Sequence, residues 1–340
     1  PYGPLERLDH LARGQRGTWT ASGRSAFGLL LQDLQQIGVR HVHIPAFVCE
    51  SILQPVHALG LDYSFYPVDS SLTALPDPPK GAALLLIHYF GWENASTKQL
   101  RAEAGRSFHL IEDATHSFLS GMDSDKELGT SVFFSLRKFG PAPLGGWCSS
   151  NRPNSKPTKE MDTTFQRSIE ARALRSKYLN SPKIPVNAIE ETAYLSILAD
   201  VEEFLNRHST THAVSSKALH VAAGIDWGNV AKQRKLNWLA LRKLTSTHIK
   251  PLMANLPAKV VPIGYVIQVA ERDRIRQKLT SRRVFCPVHW PLPTQVDIGR
   301  FPDANTLSKT LLTVPIDQRY KTEDMNIISK ALVEAVSHAN

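Results

Sequence analysis

From Thr18 onward the chain alternates short apolar, β-rich runs with segments in which apolar residues return at helical spacing. Residues 41–44, 63–68, 83–88, 109–112 and 131–135 read as strands, each beside a helix-compatible stretch. This alternation predicts an α/β fold on a mainly parallel sheet. The clearest helix opens at Ser22-Gly23-Arg24, carries Phe27, Leu30, Leu31 and Leu34 on one face, and closes at Gly38. After a polar loop at 151–157, helical spacing returns over 164–179 and 190–206. From Asn229 the pattern changes again. A helical segment with Arg234, Asn237, Trp238 and Leu241 precedes strands at 259–261 and 265–269, and a Pro-rich turn follows at 287–293. A last helix is predicted over 322–337, with Thr322 as N-cap and Glu323 in its first turn. The expected organisation is an N-terminal arm (1–17), a large domain (18–228) and a smaller C-terminal α+β domain (229–340).

Composition narrows the class. At 340 residues and 42% hydrophobic, the chain can hold a large core and a second, smaller one, because single cores stop growing near ~250–300 residues. No apolar run approaches the ~18 residues that a membrane helix needs, and residues 1–17 carry Glu6, Arg7, Asp9, Arg13 and Arg16 rather than a signal-like apolar stretch. The expectation is a cytoplasmic protein with no membrane partner. Cys49, Cys148 and Cys286 are widely separated, which favours reduced thiols, and the histidines lack the spacing of a metal site, so no metal is expected. An excess of 40 Lys+Arg over 31 Asp+Glu gives a net charge of +9. The densest patch, 272–283, keeps helical apolar spacing and no nucleic-acid motif accompanies it, so nucleic acid is not an expected partner.

Three clusters carry chemistry. Ser135-Leu136-Arg137-Lys138 follows the apolar run Val132-Phe133-Phe134, which puts the lysine at a strand end, where α/β sheets bind ligands. An amine there can form an imine with an aldehyde cofactor, and Ser135 and Arg137 suit a phosphate; equally, S-x-x-K is a common string and the charges can be ordinary surface charges. Upstream, a strand ends in Glu112-Asp113 with His116 three residues on. Asp113 can hold a proton on a pyridine nitrogen and His116 can meet the ring's phenolic oxygen; an N-cap aspartate with a surface histidine is the alternative. Ser22-Gly23-Arg24 offers free amides to a phosphate at a helix start, or is simply a cap.

The order and spread of these elements resemble the DegT-type sugar aminotransferases, a family of fold-type I pyridoxal-phosphate enzymes. The marks are Ser22-Gly23-Arg24-Ser25-Ala26, Ile44-Pro45-Ala46-Phe47, His88-Tyr89-Phe90-Gly91, Glu112-Asp113-Ala114-Thr115-His116, and Ser135 to Lys138 with Gly145-Gly146. Arg234, Asn237-Trp238 and Pro315-Ile316-Asp317 complete them. The resemblance implies a fold-type I PLP-transferase with pyridoxal 5'-phosphate held by Lys138, which also moves a proton. It implies Asp113 at the ring nitrogen, His116 beside the ring oxygen in place of the family's glutamine, and Ser22, Gly23, Arg24 and Ser135 around the phosphate. It departs from the family at Cys49, where an aromatic usually stacks on the ring, in the Ser135-to-Lys138 spacing, and in the absence of a recognisable Gly-x-Asn-x-Arg signature.

The implied activity is transfer of an amino group from an amino-acid donor to a keto or aldehyde acceptor, such as a nucleotide-linked keto-sugar. A catalytically silent homologue with a regulatory role is the other reading. A homodimer is expected, with residues 1–17 and 151–157 as the segments exchanged between subunits.

Overall fold

The computed structural model describes residues 8, 10–12, 15–121, 131–151, 155–180, 189–210 and 212–337. Its first elements are β1 (Thr18–Thr20), α1 (Gly23–Gln36), β2 (His41–Pro45), α2 (Leu53–Ala58), β3 (Asp62–Tyr66), β4 (Ala83–Ile87), α3 (Thr97–Glu103) and β5 (His109–Asp113). Then come β6 (Ser131–Ser135), β7 (Gly146–Ser150), β8 (Lys159–Glu160), α4 (Asp162–Leu179), α5 (Ile189–Arg207), β9 (His212–Ala213) and α6 (Ser216–Ala223). The last are α7 (Trp227–Thr245), β10 (Tyr265–Gln268), α8 (Arg272–Ser281), α9 (Pro302–Thr310), β11 (Leu311–Val314) and α10 (Asp324–Ser337). Among the described residues no helix is long and apolar enough to cross a membrane.

The chain forms two compact units, each assembled from separated segments. One comprises Pro1–Gly38, Ser51–Leu61 and Thr130–Ile225; the other comprises Val39–Glu50, Asp62–Gly129 and Asp226–Asn340. In the second unit β2, β3, β4 and β5 form a parallel ladder in the order β3-β2-β4-β5. The Ala-Leu-Leu-Leu-Ile run of β4 is buried throughout, as a central parallel strand covered on both faces must be. Because β4 and β5 are parallel and Ile87 faces Asp113 in register, His88 and Asp113 emerge at the same edge. That edge is where such sheets bind ligands.

The same unit contains the antiparallel pair β10–β11 and helices α7 and α10, whose apolar faces meet around Trp238, Leu241, Tyr265, Leu312 and Leu332. The buried Asn237 amide spans the carbonyls of Ile316, Asp317 and Tyr320 at 2.9–3.3 Å, and Arg234 donates to the Ile263 carbonyl at 2.8 Å. The Arg-x-x-Asn and Pro-Ile-Asp marks are therefore two sides of one structural fastening.

In the other unit β6 and β7 form an antiparallel hairpin with β1 beside β7, then β9 and β8. α1 lies on it, with Phe27 stacked on Phe133 at 5.1 Å. The helix is buried nearly all round, and a Cβ on Gly28 would come within 2.9 Å of the Ser209 carbonyl. Leu8, Leu11 and Ala12 of the expected arm are buried; the rest of residues 1–7, with 9, 13 and 14, lies outside the described residues, as do 152–154 of the expected loop.

The α/β reading holds, and α4, α5 and β6 fall where the pattern placed them. Three expectations need correction. Residues 259–261 are not a strand: the Val260 amide closes a turn on Pro257, and Val261 bonds to the Ser120 hydroxyl at 3.0 Å, with prolines on both flanks denying a ladder its donors. The strand predicted to Val269 ends at Gln268. The last helix starts at Asp324, because Thr322 contributes its carbonyl to a turn with Met325 rather than capping with its side chain.

Candidate active site

In the first unit, Ser22 is the N-cap of α1, its hydroxyl accepting from the Ser25 amide at 3.2 Å. Gly23 and Arg24 follow it as the first residues of the helix, where backbone amides have no partner inside the helix itself. The Gly145 amide donates to Ala21 at 2.9 Å, and the Gly145 carbonyl accepts from Leu136 at 3.0 Å, which ties the end of β6 to the start of α1. The approach is so close that a Cβ on Gly146 would lie 2.2 Å from the Ser22 carbonyl, and Gly145 has φ of 130°, so both positions require glycine. Ser135 reaches the Gly145 carbonyl only at 3.5 Å, a contact weak enough to be exchanged. Ser22, Gly23, Arg24 and Ser135, far apart in sequence, thus meet at one place.

Lys138 ends the short 3-10 turn Leu136–Lys138. Its side chain is exposed and has no hydrogen bond or ion pair with a described residue. Its neighbour Arg137 and the helix-start residue Arg24 are both paired with Glu202 of α5, and Arg24 also donates to Asn206. Burial works against ionisation of Glu202, but the charges and hydrogen bonds of Arg137 and Arg24 pull it down to about 2. Glu202 and Asn206 escaped the sequence reading because a carboxylate on a solvated helix carries no local signal.

In the second unit, Asp113 ends β5 and is buried at 8% exposure. One carboxylate oxygen accepts from the Thr115 amide at 2.8 Å. His116, 3% exposed, stacks on Trp290 at 5.3 Å and on Phe90 at 5.8 Å, with His289 edge-on at 5.4 Å. Trp290 also lies 5.4 Å from Phe47, two residues before the half-buried Cys49. Aromatic surface therefore surrounds this strand end without an aromatic at position 49. No periodicity in the Pro-rich 287–293 segment announced it.

Behind Asp113 is a buried polar network. Glu112, 1% exposed, receives Arg101 through two bonds at 2.7 Å and His88 Nε2 at 2.8 Å. Burial opposes its ionisation; the hydrogen bonds from His88 and Arg101, with the charge of the Arg101 guanidinium, win and hold it down to about 2. The Asn94 amide donates to His88 Nδ1 at 3.2 Å. The predicted residues thus form two groups, Asp113 with His116 in one unit, and Ser22, Gly23, Arg24 and Ser135 near Lys138's turn in the other.

No family model matches the chain, and no curated protein matches it. Solved structures do, over almost its whole length. A DegT DnrJ EryC1 StrS aminotransferase from Brucella abortus superposes with a TM-score of 0.65 at 16% identity, covering 98% of this chain and 90% of that one. A putative sugar aminotransferase from Streptococcus pneumoniae in its PMP form gives 0.68 at 14% identity, covering 100% and 93%. The S. venezuelae enzyme DesV, in complex with a ketimine intermediate, gives 0.65 at 18% identity, covering 98% and 89%. The chain has the fold of these aminotransferases.

Proposed function

We propose that this chain, folded as those enzymes are, is a pyridoxal-phosphate-dependent aminotransferase that moves an amino group from an amino-acid donor to the carbonyl of a keto-sugar. The observation that carries the reading is the exposed amine of Lys138, without a partner among the described residues, on the turn that follows Ser135. The residues fit the cofactor: a primary amine for its aldehyde, a capped, glycine-lined helix start for its phosphate, and a buried carboxylate for its ring nitrogen.

When bound, pyridoxal phosphate supplies an aldehyde that joins to amines and a ring that accepts electrons from the substrate carbon. Lys138 would hold it through Nζ and, once freed, carry a proton to and from the substrate carbon. The Gly23 and Arg24 amides, with the Ser22 and Ser135 hydroxyls, would bind the phosphate at the positive end of α1. Glu202 and Asn206 hold the Arg24 side chain. Asp113 would keep the ring nitrogen protonated, and His116, oriented by Trp290 and Phe90, would meet the ring oxygen.

A sugar acceptor goes with this reading because one neighbour is described as a putative sugar aminotransferase. A cytoplasmic homodimer and a smaller C-terminal domain from about Asn229 go with it too; light scattering and limited proteolysis test those parts. For the chemistry, the purified protein is reduced with borohydride and its peptides mapped. The expected result is a pyridoxyl group on Lys138. Label on another lysine, or on none, overturns the assignment.

A further inference from the structure

The network behind Asp113 does more than fill space. The His88 imidazole accepts at Nδ1 from the Asn94 backbone amide, so its single proton sits on Nε2, where it is donated to Glu112. The His88 backbone amide donates to the Asp113 carbonyl at 3.1 Å. One residue therefore grips both members of the Glu112-Asp113 pair, one by side chain and the other by main chain. Each partner is itself anchored. Arg101 holds both oxygens of Glu112. Asn94 is fixed by its side-chain amide to the Leu72 carbonyl at 3.0 Å and the Ile87 carbonyl at 3.3 Å, and its side-chain oxygen accepts from Ala74 at 3.2 Å.

We propose that His88 is a positioning residue for Asp113: its neutral imidazole, clamped between the Asn94 amide and the Glu112 carboxylate, holds the end of β5 so that the Asp113 carboxylate is presented in one geometry to the cofactor's ring nitrogen. This rests on the cofactor reading above. The chemistry asks for such a clamp, because a charge that stabilises a developing charge works through preorganisation, and a carboxylate displaced by an ångström loses much of its effect. A fully hydrogen-bonded buried network is how a fold supplies that rigidity.

The test exploits shape. The side-chain nitrogen of a glutamine can stand where Nε2 of histidine stands, so His88→Gln keeps a donor to Glu112, whereas His88→Leu removes it. Both are made in the full chain, alone and with Asp113→Asn. The first readout is the single-turnover rate at which glutamate converts the bound cofactor, followed by its absorbance. The second, made without cofactor, is the 15N spectrum of the His88 ring.

The expected outcome is a fall of about ten-fold in His88→Leu at unchanged affinity for glutamate, and recovery to within about two-fold in His88→Gln. His88→Leu should also add nothing to the loss already caused by Asp113→Asn, because residues acting through one group are not additive. The ring spectrum should report one neutral Nε2–H tautomer. Independent, multiplying losses in the double variant, or a ring protonated on Nδ1, would overturn the inference while leaving the cofactor assignment intact. If cofactor fails to bind Lys138, or Asp113→Asn itself reacts at the wild-type rate, the cofactor reading fails instead. If His88→Leu does not fold, the His88→Gln variant and the ring spectrum still decide: a wild-type spectrum with a ten-fold slower His88→Gln would count against the clamp.

Discussion

The two strand ends that carry the proposed chemistry are built in opposite ways. Asp113 ends β5 as a buried carboxylate over a buried network, whereas Lys138 follows β6 on an exposed turn with no described partner. Each unit also holds a carboxylate that gathers two basic side chains: Glu112 takes Arg101 and His88, and Glu202 takes Arg24 and Arg137. The side chain of Glu112 is 2% exposed, but that of Glu202 is 46% exposed. The difference matches the tasks proposed for the two strand ends. A group that stabilises charge must be fixed and desolvated, since its worth depends on a low local dielectric. An amine that makes and breaks a bond and carries a proton must be free to move.

The comparison breaks most sharply at Lys138. Lys138→Arg keeps a cation of similar reach but removes the bond-forming amine, so turnover should drop by a factor on the order of 10²–10⁴ with loss of borohydride-fixable cofactor. Steady-state rates and the mass of the reduced protein check it. An arginine variant with wild-type turnover would mean that Lys138 is an ordinary surface charge.

Next is Glu112. Glu112→Gln breaks the two-bonded pair with the half-buried Arg101 and sets an amide in a buried site built for a carboxylate, which should destabilise the chain by about 2–3 kcal/mol. Since Glu112 is held at about 2 when folded, against an ordinary value near 4.5, its contribution to stability is complete above pH ~4.5 and lost as pH falls toward ~2. Urea midpoints measured across that window should decline in the wild type, and decline less in the variant. Equal slopes would show that Glu112 does not carry the acid sensitivity.

Gly146→Ala should have a smaller effect, roughly 1–3 kcal/mol, because the added methyl meets the Ser22 backbone and the strand must shift away from α1. The same shift opens the proposed phosphate cradle, so inorganic phosphate should also bind more weakly by calorimetry. Unchanged stability would mean that the hairpin does not press on the helix start as described.

The smallest effect is expected for Glu202→Gln. Although Arg137 and Arg24 hold this carboxylate at about 2 against the effect of burial, nearly half of its side chain meets water, where ion pairs are screened and contribute below about 1 kcal/mol. Denaturation at low and high salt should differ little between wild type and variant once salt is high. A loss as large as that of Glu112→Gln would erase the contrast between the two units.

Much of this architecture is legible in one sequence. The β4 run Ala83–Ile87 and the buried helix α1 are so apolar over so short a span that few placements satisfy them. Short strands such as Thr18–Thr20 and Leu311–Val314 were not, because three or four residues hold too little periodicity and their pairing partners lie far along the chain.

For the site, local motifs announced which residue types end each strand: a carboxylate at Asp113, a hydroxyl at Ser135, an amine at Lys138, a glycine pair at 145 and 146. Those identities are a property of the sequence alone. What stands around them was decided by the fold. The approach of β7 to α1, Trp290 over His116, Glu202 between two arginines, and His88 between Asn94 and Glu112 each join residues through contacts that no local pattern encodes. The physical reason is that side-chain identity and hydrophobic period are local quantities, whereas desolvation and hydrogen-bond partnership exist only once the chain has folded back on itself.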